Sequence, residues 1–229
     1  MALILNIETS TNICSVALAK DGKLIDMEES KEDKTHANKL GVFVEKILKK
    51  NQIEIKNLDA FAISKGPGSY TGLRIGVSFV KGICYGGSKK LIAVNTLQSL
   101  CQKINKNDFD ENTYFVPMID ARRMEVYTAI FNENNEFVKK VSAKIIDENS
   151  YISLLKDRKL VFFGNGAEKC KKFISHKNAI FLKNIDASAK SMINLSESSF
   201  KNLEFVNIAY FEPFYLKDFI ITKSKKKIF

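Results

Sequence analysis

One order of elements occurs twice along this 229-residue chain, and that recurrence restricts the fold more than any single motif does. Residues 2–8 are almost continuously apolar, as expected of a strand buried on both faces. Residues 13–20 follow a polar Thr-Ser-Thr-Asn turn, and Asp21-Gly22 is a hairpin signal leading into a third strand over 23–30. Thr35 offers an N-cap for a helix over 35–50. A fourth strand over 58–64 ends in the glycine-rich loop 65–72; a helix over 71–85, a strand over 91–95 and a helix over 96–103 close the half. The order then restarts. Residues 114–119 are apolar, Asp120-Ala121-Arg122-Arg123 turns, and strands over 124–131 and 137–145 are separated by Asn132-Glu133-Asn134-Asn135. Helix signals surround 147–156, a strand spans 159–163, and Gly164-Asn165-Gly166 again stands between a strand and a helix. Only a strand near 179–182 and a helix near 188–204 remain, so the second copy is abbreviated.

Each half therefore reads β-β-β-α-β-loop-α. Duplication of that order predicts an α/β chain of two actin-like (RNase H-like, ASKHA) halves. The expected division is 1–106, 107–216 and a basic tail over 217–229 that carries Lys223, Lys225, Lys226 and Lys227. No apolar run approaches the ~18 residues of a membrane span. The start of the chain has no basic stretch and reaches a carboxylate at Glu8, which predicts a strand and not a signal peptide. Cys14, Cys84, Cys101 and Cys170 are scattered without a CxxC pair, the pattern of reduced thiols in a cytosolic protein. His36 and His176 are too few for a multi-histidine metal site, and no metal or cofactor is expected. The net charge of +10 permits phosphate attraction without specifying a nucleic-acid partner.

Three segments carry candidate chemistry. Glu8, Thr9 and Ser10 form a hydroxyl-rich turn between two strands, where an actin-like kinase holds phosphate and Mg²⁺; weak nucleotide contact is the functional expectation, and satisfaction of a tight turn the structural one. Such a clamp needs a second, glycine-bearing hairpin from the other half. The turn in that place, Asp120–Arg123, has no glycine and two long side chains, which argues against ATP turnover. The segment Gly66-Pro-Gly-Ser-Tyr-Thr-Gly-Leu-Arg-Ile-Gly76 permits close backbone approach and opens a helix whose N-terminus suits an anion, although it lacks the Gly-Lys-Ser/Thr of a P-loop. Ser69 does not stand in a Gly-x-Ser-x-Gly elbow, so nucleophilic catalysis finds no support.

The two helices of the first half are apolar over more than one stripe. On the second, Gly72, Ile75, Gly76, Phe79, Gly82 and Ile83 make one face and Leu73, Val77, Val80 and Cys84 another, leaving a polar strip of Arg74, Ser78 and Lys81. The first carries Ala37, Leu40, Phe43, Val44, Ile47 and Leu48, with His36 inside the arc. A surface helix needs one apolar stripe, and the surplus predicts a contact surface for another chain.

Asn6-Ile-Glu-Thr-Ser, the glycine segment 66–76, Asp120-Ala-Arg-Arg-Met-Glu-Val-Tyr and Glu212-Pro-Phe-Tyr-Leu-Lys together resemble the TsaB (YeaZ) family, over nearly the whole chain. The resemblance implies a non-catalytic, activating subunit in the synthesis of threonylcarbamoyladenosine beside the tRNA anticodon. Its implied partners are a TsaD-like catalytic paralogue and a TsaE-like ATPase, with tRNA met through the complex and a homodimer in isolation. In the catalytic paralogue the first helix bears a His-x-x-x-His metal motif; here the stretch is His36-Ala-Asn-Lys-Leu40, without the second ligand. The expected interface comprises His36, Leu40, Phe43, Ile47, Thr71, Leu73, Arg74, Val77, Ser78 and Lys81, with Phe43, Ile47, Leu73 and Val77 as anchors. An ATP-dependent small-molecule kinase of the same fold is the alternative, and a stand-alone tRNA-binding protein ranks below it.

Overall fold

A computed structural model describes residues 2–32 and 36–217. Thr35 and Lys223–Lys227 lie outside the described residues. The strands form two five-stranded sheets with one and the same plan. In the first, β1 (Leu3–Glu8) pairs antiparallel with β2 (Cys14–Lys20) and β2 with β3 (Lys23–Ser30), while β4 (Ala60–Gly66) and β5 (Lys90–Asn95) add in parallel, giving the order β3-β2-β1-β4-β5. In the second, β6 (Thr113–Asp120), β7 (Glu125–Phe131) and β8 (Phe137–Ile145) are antiparallel, and β9 (Lys159–Phe163) and β10 (Ala179–Phe181) add in parallel beyond β6. The duplicated actin-like plan is thus present strand for strand.

Apolar alternation assigns each sheet two covered faces. Leu5 and Ile7 of β1 point to the side of α1 (His36–Lys50) and α2 (Tyr70–Gly87), where Leu40, Val44, Ile47, Val77 and Val80 complete the cluster. Ile4 points to the opposite face, covered by a 3₁₀ turn (Ala189–Met192) and by α6 (Ile193–Lys201) through Met192 and Leu195. The second sheet is covered by α4 (Ile152–Asp157) and α5 (Ala167–Cys170) on one face. Its other face receives Leu97, Leu100 and Cys101 of α3 (Thr96–Cys101). The last helix of each half therefore packs on the sheet of the other half. This exchange joins the halves through buried apolar surface, and no periodicity in the sequence announces it.

From 202 to 217 the chain runs without regular structure up one side of α2. Val206 donates its N–H to Leu91 O at 2.9 Å and Phe214 donates to Lys65 O at 2.7 Å. Tyr215 packs against Tyr70 with ring centroids 4.9 Å apart and the rings tilted by 36°, and Lys217 pairs with Glu125 of the second half.

Candidate partner face and interlobe cleft

Packing decides which apolar stripe of each helix meets the sheet. Leu40 and Ile47 of α1 are 1% exposed, as is Leu73 of α2, and Val77 is 4% exposed; all four face the core. His36 is buried as well and donates from Nε2 to Ile13 O over 3.2 Å. These five expected interface residues are therefore internal, and of the four expected anchors only Phe43 is half-exposed. The wheel cannot separate the two stripes because both are equally apolar; on α2 the sheet takes Leu73, Val77, Val80 and Cys84 and leaves Ile75, Phe79 and Ile83 half-buried. The outer face consists of Ala37 and Val42 on α1 and of Thr71, Ser78 and Gly82 on α2, with Ile75 and Phe79 half-buried in the seam between the helices. Gly41 of α1 faces the Phe79 ring, where a Cβ would stand in ordinary contact, 3.7 Å from the ring edge. Over Gly82 there is nothing within 4 Å.

Two of the expected interface residues serve the chain itself. Lys81 donates to Phe211 O at 2.9 Å and to Ala209 O at 3.3 Å, pinning residues 209–211 against α2. Arg74 lies over the Tyr70 ring and donates to its hydroxyl at 3.1 Å.

The glycine segment closes on the Glu8–Ser10 turn. Ser69 N–H donates to Ser10 O at 2.6 Å, and the Ser69 hydroxyl caps α2 by accepting from Gly72 N–H at 3.3 Å. A methyl group at Gly68 would collide with Ser10, and one at Gly72 or Gly76 with Thr9. Gly66, at φ +108°, lies under the Phe214 carbonyl. The glycines thus admit the chain's own turn and strap, and the anion seat expected at the α2 N-terminus is taken by Ser10 and Ser69. Glu8, Thr9 and Ser10 are all 0% exposed, so the nucleotide contact expected of them is not open to solvent. Burial also raises the Glu8 carboxyl above its ordinary value, against the opposing pull of Ser10, whose N–H donates to Oε1 at 2.6 Å. A kinase reading needs that turn open.

Between the halves lies a cleft of about 980 Å³, reached by His36 and Tyr70 on one wall and by Arg122, Arg123 and Tyr127 on the other. The β6–β7 turn forms that second wall. Arg122 (φ 68°) and Arg123 (φ 47°) are both left-handed, a conformation costing roughly 1–2 kcal/mol for a residue with a Cβ. Arg122 N–H donates to the Asp120 carboxylate at 2.9 Å. Neither guanidinium has a bonding partner among the described residues. All four cysteines are buried and unpaired. Among the described residues no three His, Cys, Asp or Glu side chains cluster as metal ligands, and no helix is long and apolar enough to cross a membrane.

Two sheets of this plan, with exchanged terminal helices and a cleft between them, place the chain in the actin-like class. The family model described as "TsaD: tRNA N6-adenosine threonylcarbamoyltransferase" matches residues 29–223. The "tRNA threonylcarbamoyladenosine biosynthesis protein TsaB" of Haemophilus influenzae is 26% identical over 230 residues, with 96% of each chain covered. Its namesake from Bacillus subtilis is 30% identical, covering 75% of this chain and 74% of that one. The solved structure of YeaZ from Pseudomonas aeruginosa superposes with a TM-score of 0.81 at 23% identity, over 94% of this chain and all of the other. The chain belongs to the TsaB family, within the wider group that the TsaD model describes.

Proposed function

We propose that this protein is a non-catalytic, activating subunit in the biosynthesis of tRNA threonylcarbamoyladenosine, and that it works in the cytosol by docking a TsaD-like threonylcarbamoyltransferase on the outer face of α1 and α2. The observation that carries the reading is the division of α2. The stripe of Leu73, Val77, Val80 and Cys84 is spent on the sheet, yet Thr71, Ser78 and Gly82 stay exposed beside half-buried Ile75 and Phe79, a second strip left partly uncovered. Small residues at such a strip let a facing helix approach closely, and Phe79 and Ile75 offer the seam for its side chains. The same strip, together with Phe43 and Val42, would pair with a second copy when the partner is absent. A TsaE-like ATPase completes the assembly in this reading, and tRNA is met through the complex.

The non-catalytic part of the proposal rests on two local facts. Leu40 fills the i+4 position where a second metal-binding histidine would stand, and its side chain is packed into the core. The turn that would hold phosphate is covered by Gly68, Gly72 and Gly76.

The test is co-elution of this chain with its TsaD-like partner, combined with threonylcarbamoyl transfer to unmodified tRNA. Ser78→Arg places a charge in the middle of the strip. Because Ser78 is exposed, the monomeric chain should keep its stability to within about 0.5 kcal/mol. Binding should weaken at least tenfold, since a buried unpaired charge costs several kcal/mol. Unchanged co-elution of Ser78→Arg would remove the face from consideration. Transfer activity from this chain alone would remove the non-catalytic assignment.

A further inference from the structure

The second glycine loop, Gly164-Asn165-Gly166, has no part in the partner face, and no ligand need be invoked to account for it. We infer that this loop and Lys169 form the seat of the Asp120–Glu125 turn, with Lys169 as the positioning residue that presents Arg122 and Arg123 to the cleft. The inference rests on the partner-subunit reading for its activity readout alone.

Two consecutive non-glycine residues in the left-handed region need an external hold. Lys169 supplies it from 46 residues away. Its ammonium group donates to the Asp120 carboxylate, to Arg123 O at 2.7 Å and to Glu125 O at 2.7 Å, so its three protons meet three acceptors spread along the turn. The Lys169 side chain is only 24% exposed, and the Asp120 carboxylate beside it matches its charge. Asn165 adds a fourth tie by accepting the Asp120 N–H at 3.0 Å. Gly166 donates to Met118 O at 3.0 Å, and a Cβ there would stand 2.9 Å from Asp120 N and from Ile119 C. Only glycine permits the loop to sit so close to the end of β6.

The consequence is directional. With the carbonyls of Arg123 and Glu125 and the carboxylate of Asp120 all turned to Lys169, the side chains of Arg122 and Arg123 are left on the cleft wall, exposed and unpaired among the described residues. The cleft opens beside Thr71 and Ile75 of the proposed partner face, so the two guanidiniums stand where the docked assembly would meet them. Replacement of Lys169 removes three donors at once: Asp120 then keeps the Arg122 N–H and Glu125 O the Ala121 N–H, but the Arg123 carbonyl loses its partner and the two left-handed L-residues lose the tie that spans them.

The experiment uses the full chain. In a ¹⁵N-labelled sample, Arg122 and Arg123 should show the strong intraresidue Hα–HN contact of a left-handed residue. Lys169→Met should abolish it while the remaining spectrum persists, and Lys169→Arg, which keeps charge and donors, should restore part of it. In the reconstituted transfer reaction Lys169→Met should lower the rate roughly tenfold, the scale of a misplaced positioning group. In the background of Arg122→Ala with Arg123→Ala, itself impaired, the same change should alter the rate by less than about twofold, because the residue acts through the arginines. Persistence of the left-handed signature in Lys169→Met would overturn the inference, as would an equal rate loss in the arginine-less background or an unimpaired arginine-less chain. Failure of the partner reading shows separately, as unchanged co-elution of Ser78→Arg, and leaves the spectroscopic arm to judge Lys169.

Discussion

Gly72→Ala and Gly82→Ala make the same chemical change in one helix, and the structure assigns them opposite signs. At Gly72 a Cβ would stand 2.1 Å from the Thr9 carbonyl oxygen, whereas ordinary contact begins at 3.4 Å. The obstacle is backbone in a fully buried turn, so α2 or the turn must retreat by 1.3 Å, the difference of those distances. Overpacking of a tight site costs about 1–3 kcal/mol. The gain in helix propensity, about 1 kcal/mol in a helix interior, is smaller at Gly72 because it lies in the first turn. Displacing the turn also disturbs the hydrogen bond from Ser69 N–H to Ser10 O. A net loss of about 2 kcal/mol follows, which lowers Tm by roughly 4–8 °C in a chain of this length. At Gly82 no atom lies within 4 Å, so the propensity term stands alone and stability should rise by about 0.5–1 kcal/mol, or roughly 1–4 °C. Thermal unfolding of the chain diluted until it is monomeric, followed by circular dichroism at the helical band, measures both. A Gly72→Ala protein as stable as the parent would refute the claim that the glycines admit the Glu8–Ser10 turn, and with it the reason given for the closed phosphate seat.

Other outcomes follow from the same contacts. Because burial raises the Glu8 carboxyl, the folded chain holds that proton more firmly than the unfolded chain does. The contribution is complete below pH 4.5, the ordinary value for such a group, and is lost as pH rises through the folded-state value. Glu8→Gln should therefore gain in urea midpoint relative to the parent as pH is raised from 4 to 8, and a constant difference across that range would contradict the burial argument. Burial pushes the Cys14 and Cys170 thiols to about 11 and Cys84 to about 12, and it raises Cys101 well above its ordinary value. A disulfide reagent at pH 8 should leave all four silent in the native chain and label them together only on unfolding; fast native labelling of any of them would show the core to be open. Lys81→Met should free the 209–211 segment from α2, and earlier proteolytic cleavage there than in the parent is the expected result.

Much of the framework was legible because its signals are local. Continuous apolar runs marked β1 and β6, Asp21-Gly22 marked the β2–β3 hairpin, and glycine after the fourth strand of each half marked the strand-to-helix junctions. The recurrence of that order was enough to predict two actin-like sheets. The helix expected over 71–85 extends to Gly87, and the strand expected over 58–64 begins at Ala60 and reaches Gly66, shifts that follow from hydrogen bonding at the element ends.

The candidate site divides differently. Sequence periodicity showed that α1 and α2 carry more apolar surface than one sheet can cover, which is a property of the helices alone. It could not say which stripe turns inward, because hydrophobicity is non-directional and only the fold places Gly66 of β4 beneath Leu73, which is buried while Ile75 is left half-exposed. The spacing of Gly68, Gly72 and Gly76 announced a close approach; only the packed turn showed that the approaching atoms are Thr9 and Ser10 and not a ligand. Lys169 carries no signal of its own in a lysine-rich chain. Its role exists because the fold brings α5 under the β6–β7 turn, so a side chain 46 residues away satisfies the Arg123 carbonyl and adds to the bonds that the turn makes within itself. Order and periodicity are written along the chain, whereas the pairing of one buried surface with another is a property of the folded state alone.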